Sequence, residues 1–181
     1  MLKLTDIDKT FNAGTIDEKV LFDKFSLSID EGEFVSVVGS NGSGKTTMLN
    51  IISGDVLPDG GHVELKGKDI TKMKNFVRAK NIARVFQNPA MGTCLLDEHT
   101  AALDPKSADI VMELTRDIVE ESKITTVMIT HNLRYAVEYG TRAIMMHEGN
   151  VILDLKGEEK AEQSIDDYLK IFNEISIECG N

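Results

Sequence analysis

The sequence predicts an α/β domain in which a mainly parallel sheet is flanked by helices. Three observations carry that expectation. Short apolar runs that read as strands alternate with segments whose apolar residues recur every three to four positions. The N-terminal segment and the stretch "RAIMMHEGNVILDL" look like antiparallel additions to such a sheet. A length of 181 residues with 41% hydrophobic and 28% charged residues fits one domain of ordinary size, and leaves little room for disorder, collagen-like sequence or a disulfide scaffold.

Taken in chain order, "EFVSVVG" (33–39) is an apolar run closed by glycine. The segment after it places Met48, Leu49, Ile51 and Ile52 on the buried face of a helix that Gly54 ends. "PDGG" (58–61) is a turn, "HVELKGKDI" alternates like a half-exposed strand, and "IARVFQ" (82–87) is a further strand. "KSADIVMELTRDIVEES" sets Ile110, Leu114 and Ile118 four residues apart, with Val111 and Val119 beside them, which predicts an amphipathic helix buried on that stripe. "TTVMITH" reads as a strand, "NLRYAVEYG" as a helix closed by Gly140, and "RAIMMHEGNVILDL" as a hairpin turning at "EGN". A last helix carries Ile165, Leu169, Phe172 and Ile175 on one side, and "ECGN" reads as a frayed end.

Composition narrows the function classes. No segment approaches the roughly 20 apolar residues of a membrane span, and "MLKLTDIDKT" lacks the apolar core of a signal peptide, so a cytosolic chain is expected. Cys94 and Cys179 form no C-x-x-C pair and are expected to stay reduced, Cys94 as a small buried apolar residue. His62, His99, His131 and His147 lack zinc-ligand spacing, so no structural metal is expected. A formal charge of -10 argues against binding a phosphate backbone, and no nucleic-acid partner is expected.

The segment that carries chemistry most clearly is "GSNGSGKT", Gly39 to Thr46, which matches G-x-x-x-x-G-K-[ST] between a strand and a helix. Its glycines let the backbone turn tightly so that several N–H groups face a polyphosphate, and the following helix adds the positive end of its dipole. Ser40, Asn41, Gly42, Ser43, Gly44, Lys45, Thr46 and Thr47 are therefore the candidate nucleotide-binding residues, in what reads as a P-loop NTPase core. Lys45 reaches the terminal phosphates, and the Thr46 hydroxyl is placed for Mg²⁺. "CLLDEH" ends an apolar run in two acids. Asp97 is positioned to face Mg²⁺, and Glu98 to orient or deprotonate an attacking water. His131, closing "MITH", can hydrogen-bond a γ-phosphate or that water. Gln87 can reach Mg²⁺ or the water through its amide oxygen, and Phe11 can offer a ring to adenine.

In this order the motifs resemble those of the ATPase subunit of ABC (ATP-binding cassette) transporters, over nearly the whole chain. "GSNGSGKTT" resembles the family's Walker A, "VFQNP" its Q-loop and "CLLDE" its Walker B with the catalytic glutamate. "AALD" (101–104) resembles its D-loop, and "ITH" its switch histidine. The resemblance implies a catalytic set of Glu98, His131, Gln87 and Lys45, with Mg²⁺ near Thr46, Gln87 and Asp97. It puts Phe11 at the aromatic A-loop position and Val20 on the ribose side. It implies ATP and Mg²⁺ as cofactors. The implied partners are permease subunits in the membrane and a second ATPase subunit that closes on ATP, with the chain held on the inner face of the cell membrane. "DEHTAALDP" and "MMHEG" look most like importer ATPases associated with amino-acid uptake.

One departure is large. The family carries a helical subdomain between Q-loop and Walker B, with the signature LSGGQ that contacts ATP held by the opposite subunit. Here only residues 88–96 separate Gln87 from Asp97, and no "SGG" occurs in the chain. Parallel crossovers usually need a dozen or more residues, so a deletion or missing segment near 92–95 is expected within this single nucleotide-binding domain, with the helical subdomain absent. Such a chain is expected to bind ATP and to hydrolyse it poorly. The alternative is a non-transport module of the same type that uses ATP as an association switch; a P-loop kinase would need an acceptor-binding lid, and "AALD" and "ITH" argue against it.

Overall fold

The order of the elements follows from where the apolar runs and the turn residues fall, and a computed structural model describes it for residues 1–84 and 92–178. Strands β1 (Leu2–Phe11) and β2 (Lys19–Ile29) form an antiparallel pair. β3 (Phe34–Gly39) leads into helix α1 (Lys45–Ser53). β4 (Gly60–Leu65) and β5 (Lys68–Asp69) complete a four-stranded antiparallel sheet in the order β2-β1-β4-β5. A four-residue helix α2 (Asn75–Arg78) precedes β6 (Ile82–Arg84). Then come β7 (Thr93–Asp97), α3 (Pro105–Ser122), β8 (Thr125–Ile129), α4 (Leu133–Glu138), β9 (Arg142–His147) and β10 (Asn150–Lys156). Two helices, α5 (Gly157–Ala161) and α6 (Ile165–Glu178), follow.

The second sheet runs β10-β9-β3-β8-β7-β6. Its pairings are parallel except β9 with β10, which is the hairpin expected at "EGN". Glu148 and Gly149 both take positive φ, 43° and 77°, the two-residue turn whose twist suits a hairpin. The mixed α/β architecture read from the alternation is thus the one observed, antiparallel N-terminal sheet included.

Because β3 and β8 are buried end to end, and β7 and β9 up to their last residue, each side of the sheet needs a cover. On one side Val35, Val37, Leu95, Val127 and Ile129 pack with Met48, Leu49, Ile51 and Ile52 of α1 and with the antiparallel sheet. These four α1 side chains are fully buried and contribute about 2 kcal/mol each. Gly54 ends α1 in a left-handed conformation with its N–H on Asn50 O, as the sequence indicated. On the other side Cys94, Leu96 and Met128 meet Ala108, Met112 and Val119 of α3 and Tyr135 of α4. Cys94 is a buried apolar residue, and burial pushes its thiol up to about 12.

Two helices depart from the expected faces. In α3 the buried side chains are Ala108, Met112, Thr115 and Val119, whereas Ile110 and Leu114 are 50% and 55% exposed. Two apolar stripes run side by side along this helix, and the sheet covers only one. In α6, Tyr168 is the buried residue, while Ile165 and Leu169 are partly exposed; the side chains of Phe172 and Ile175 are outside the described ones. α2 and α5 are too short to show a period and were not anticipated.

Candidate nucleotide site

The carboxyl ends of three adjacent parallel strands deliver the candidate residues to one edge. Register does the alignment. Val37 and Asp97 both pair with Ile129, and the N–H groups of Glu98 and Thr130 extend the ladder to Ile129 O at 3.0 Å and Val37 O at 3.1 Å. Residues 40–44, Asp97–Glu98 and Thr130–His131 therefore emerge level with one another, at the edge where open α/β sheets take ligands.

The phosphate loop is shaped by close backbone approaches. A side chain on Gly39 would bring its Cβ to 2.2 Å from Met146 O, and one on Gly44 to 2.8 Å from the Phe22 ring. Gly44 is the N-cap of α1 with φ 105°, and no side chain caps the helix. No acid occupies the first turn, so the unbonded N–H groups and the positive helix end face the loop. Lys45 is 5% exposed and folds back on its own loop, donating to Gly39 O and Ser40 O at 2.9 Å each and to Ser43 Oγ at 3.4 Å. Burial pushes its ammonium below the usual lysine range, opposed by the charges of Glu98 and Asp97.

Opposite the lysine, Thr46 Oγ1 donates to Asp97 Oδ1 at 3.5 Å. An alcohol and a carboxylate converging in this way suit a hard cation that takes oxygen ligands, so Thr46 and Asp97 fit Mg²⁺. Glu98, in a left-handed conformation with φ 50°, leaves the strand direction, and its Oε1 lies 2.6 Å from His131 Nε2. That is the geometry of a base held by a neighbour.

Between these groups lies an open cavity of about 260 Å³, lined in part by Phe11, Asn41, Gly42, Gly44 to Thr47, Glu98 and His131. Of the candidate residues, Ser40 and Ser43 belong to the loop without lining this cavity. Ser43 is buried, and Ser40 Oγ lies 3.4 Å from His147 Nδ1. On β2 the wall includes Lys19 and Leu21; Val20, between them, is 60% exposed. Gln87 falls outside the described residues.

Lys19 is the residue that sequence reasoning missed. It pairs across the sheet with Phe11, and its ammonium sits 3.7 Å from where a Gly42 side chain would begin. No motif marks it, because it comes from a strand of the other sheet. The hairpin tip was expected, but not its contact: Gly149 N donates to Ser43 O at 3.0 Å and braces the phosphate loop.

Comparison with known proteins identifies the family of the chain and its fold. The family model described as ABC transporter matches residues 22–168. The "Tyrosine transport ATP-binding protein" of Clostridioides difficile (strain R20291) is 33% identical, covering 95% of this chain and 98% of that protein. The phosphonates import ATP-binding protein of Lactobacillus gasseri is 27% identical over 92% of each. The alignment with the former runs over 247 positions, more than the 181 residues present here, so that relative carries residues without a counterpart in this chain. Among solved structures, an ATP-binding cassette in its ADP conformation superposes with a TM-score of 0.78 at 20% identity, covering 100% of this chain and 99% of that one. A dimeric cassette bound to ADP and Pi gives 0.77 at 24% identity, over 86% and 98%. The chain belongs to the ABC transporter family, as one of its ATP-binding ATPase domains.

Proposed function

We propose that this chain binds Mg-ATP in the cavity between the phosphate loop and Glu98 and couples its binding and hydrolysis to import of a solute. Lys45 and the α1 N-terminus take the phosphates, Phe11 and the β2 edge receive the nucleoside, and Thr46, Asp97 and Gln87 hold Mg²⁺. The metal, when bound, neutralises phosphate charge. Glu98 takes a proton from the attacking water while His131 holds the carboxylate and faces the γ-phosphate. One observation carries the reading: Lys45, Thr46, Glu98 and His131 all line one cavity, and Asp97 touches Thr46 at its rim. An amino acid is the preferred solute class, with permease subunits in the membrane and a second ATPase subunit as partners. Three things support this: the tyrosine-transport name of one relative, the import name of another and the dimeric form of one structural neighbour. No described helix is long and apolar enough to cross a membrane.

The segment expected to be missing between β6 and β7 belongs to the same proposal, on grounds other than reach. Ile82 pairs with Thr93 and Arg84 with Leu95, so among the described residues the chain needs to return by only two residues of strand, about 7 Å. Positions 85–92 can span that. What supports a missing segment is the longer relative, together with topology. The β7-to-β8 crossover runs through α3, and a right-handed β6-to-β7 crossover belongs on that same side of the sheet, next to α3. The exposed stripe of Ile110 and Leu114 lies on the flank of α3 away from Asp109, which meets α4.

The test is titration with a fluorescent ATP analogue in Mg²⁺, followed by turnover. Saturable binding with turnover far below that of a cassette carrying its signature segment is expected, since one clamp on the γ-phosphate is absent. No binding, or turnover equal to an intact cassette, overturns the reading.

A further inference from the structure

Two loops border the water-activating pair, and each is followed directly by a helix. Residues 99–104 lead from Glu98 into α3, where Asp104 caps the helix by accepting from Ser107 N at 3.1 Å. His131 leads into α4, where Asn132 caps by accepting from Arg134 N at 3.0 Å. A second cavity, about 380 Å³, lies under these loops. It shares Glu98 and His131 with the nucleotide cavity, so the pair forms a wall between the two. With open space beneath the wall, the separation of the two helix starts depends on contacts across the floor.

Asp109 makes that contact. Its Oδ1 accepts from Arg134 Nη2 at 2.8 Å and from Tyr135 Oη at 2.9 Å. The guanidinium is held on its other side, where Nε donates to Glu138 Oε1 and Oε2 at 3.1 and 3.0 Å, and it lies over the Tyr135 ring at 5.4 Å. Tyr135 is buried against the sheet, and burial followed by the Asp109 bond raises its phenol, which stays a donor. An exposed aspartate–arginine pair alone contributes little. Here the arginine is fixed from two sides and the tyrosine is anchored in the core, so the three groups act as one network.

We propose that Asp109 is a positioning residue for ATP hydrolysis: by accepting from Arg134 and Tyr135 together, it sets the distance between the loop after Glu98 and the helix after His131. The proposal rests on the roles given above to Glu98 and His131. It ties α3 to α4 within one chain, and a small displacement at a reacting pair is enough to lower turnover by an order of magnitude or more.

The test compares the full chain with Asp109→Ala, Asp109→Asn and Tyr135→Phe by amide hydrogen exchange without nucleotide, and then by ATP turnover in Mg²⁺. In Asp109→Ala, exchange at 99–104 and 131–135 is expected to rise about tenfold, with α1 and β3 unchanged. Turnover falls about tenfold, and KM for ATP stays within about twofold. Asp109→Asn, which keeps the acceptor oxygen, recovers most of both, and Tyr135→Phe falls between. Unchanged exchange at either loop overturns the proposal, as does a rise spread over β3 and β8, which marks general destabilisation. Nucleotide titration of the unaltered chain reads the site itself. If that chain binds no ATP, the function proposed for the site fails, while the exchange comparison still decides the clamp.

Discussion

At the carboxyl ends of β3, β7 and β8, Lys45, Thr46, Asp97, Glu98 and His131 are each bonded to one another or to the phosphate loop. Along the outer flank of α3, Ile110 and Leu114 stand half exposed. The two regions share the same sheet and depend on different parts of the chain. The first is fixed by strand register and by local turns, none of which passes through the β6-to-β7 connection. The second depends on what packs against the outer flank of α3, and the sheet does not. A large change between β6 and β7 can therefore leave these five residues in place, whereas Gln87 lies within that connection.

The comparison can be broken most directly at Lys45. Lys45→Ala is expected to weaken ATP at least about 100-fold and to abolish the rise in Tm that Mg-ATP gives, while Leu114→Ala leaves that rise intact. A lysine variant that still responds to Mg-ATP would separate binding from the loop. Gly149→Ala comes next. A Cβ there meets Leu21 O at 1.7 Å with φ at 77°, and a loss of about 3 kcal/mol is expected in denaturant unfolding. Within α3 the contrast sharpens: Met112→Ala should cost about 3 kcal/mol and Leu114→Ala less than about 0.5 kcal/mol, although the two are neighbours in sequence. Equal losses would mean that the outer flank is packed in solution.

The smallest effect concerns acid. Asp167, at the start of α6, is held down to about 2 by the Ser164 hydroxyl and N–H and by Lys170. A depressed carboxyl contributes stability that is complete above its ordinary value of 3.8 and fades as pH falls through about 2. Asp167→Asn should remove that limb from the acid unfolding curve and leave neutral-pH ATP binding untouched, which a pH series of thermal melts can check.

How far the sequence reached depends on whether a feature is local. The phosphate loop was legible because close backbone approach to phosphates demands glycines at fixed intervals, and Asp97, Glu98 and His131 because they end apolar runs at one level of a parallel sheet. The α3 face was not, since Met112 with Val119 and Ile110 with Leu114 are both apolar series, and what packs on the helix decides between them. Lys19 was invisible for a related reason: its approach to Gly42 joins two sheets. The same holds for Asp109, which reads as one more surface acid until α4 is placed beside it.

The hairpin tip at Glu148–Gly149 has a thermodynamic consequence for the loop it touches. With Gly149 N on Ser43 O, and Gly39 pressed against Met146, the phosphate loop takes its shape when β9 and β10 fold against it. A free loop of this length, rich in glycine, would surrender much of its freedom on meeting a nucleotide. Here that loss is incurred during folding, so a substitution at the hairpin tip that frees the loop should weaken nucleotide binding as well as the fold.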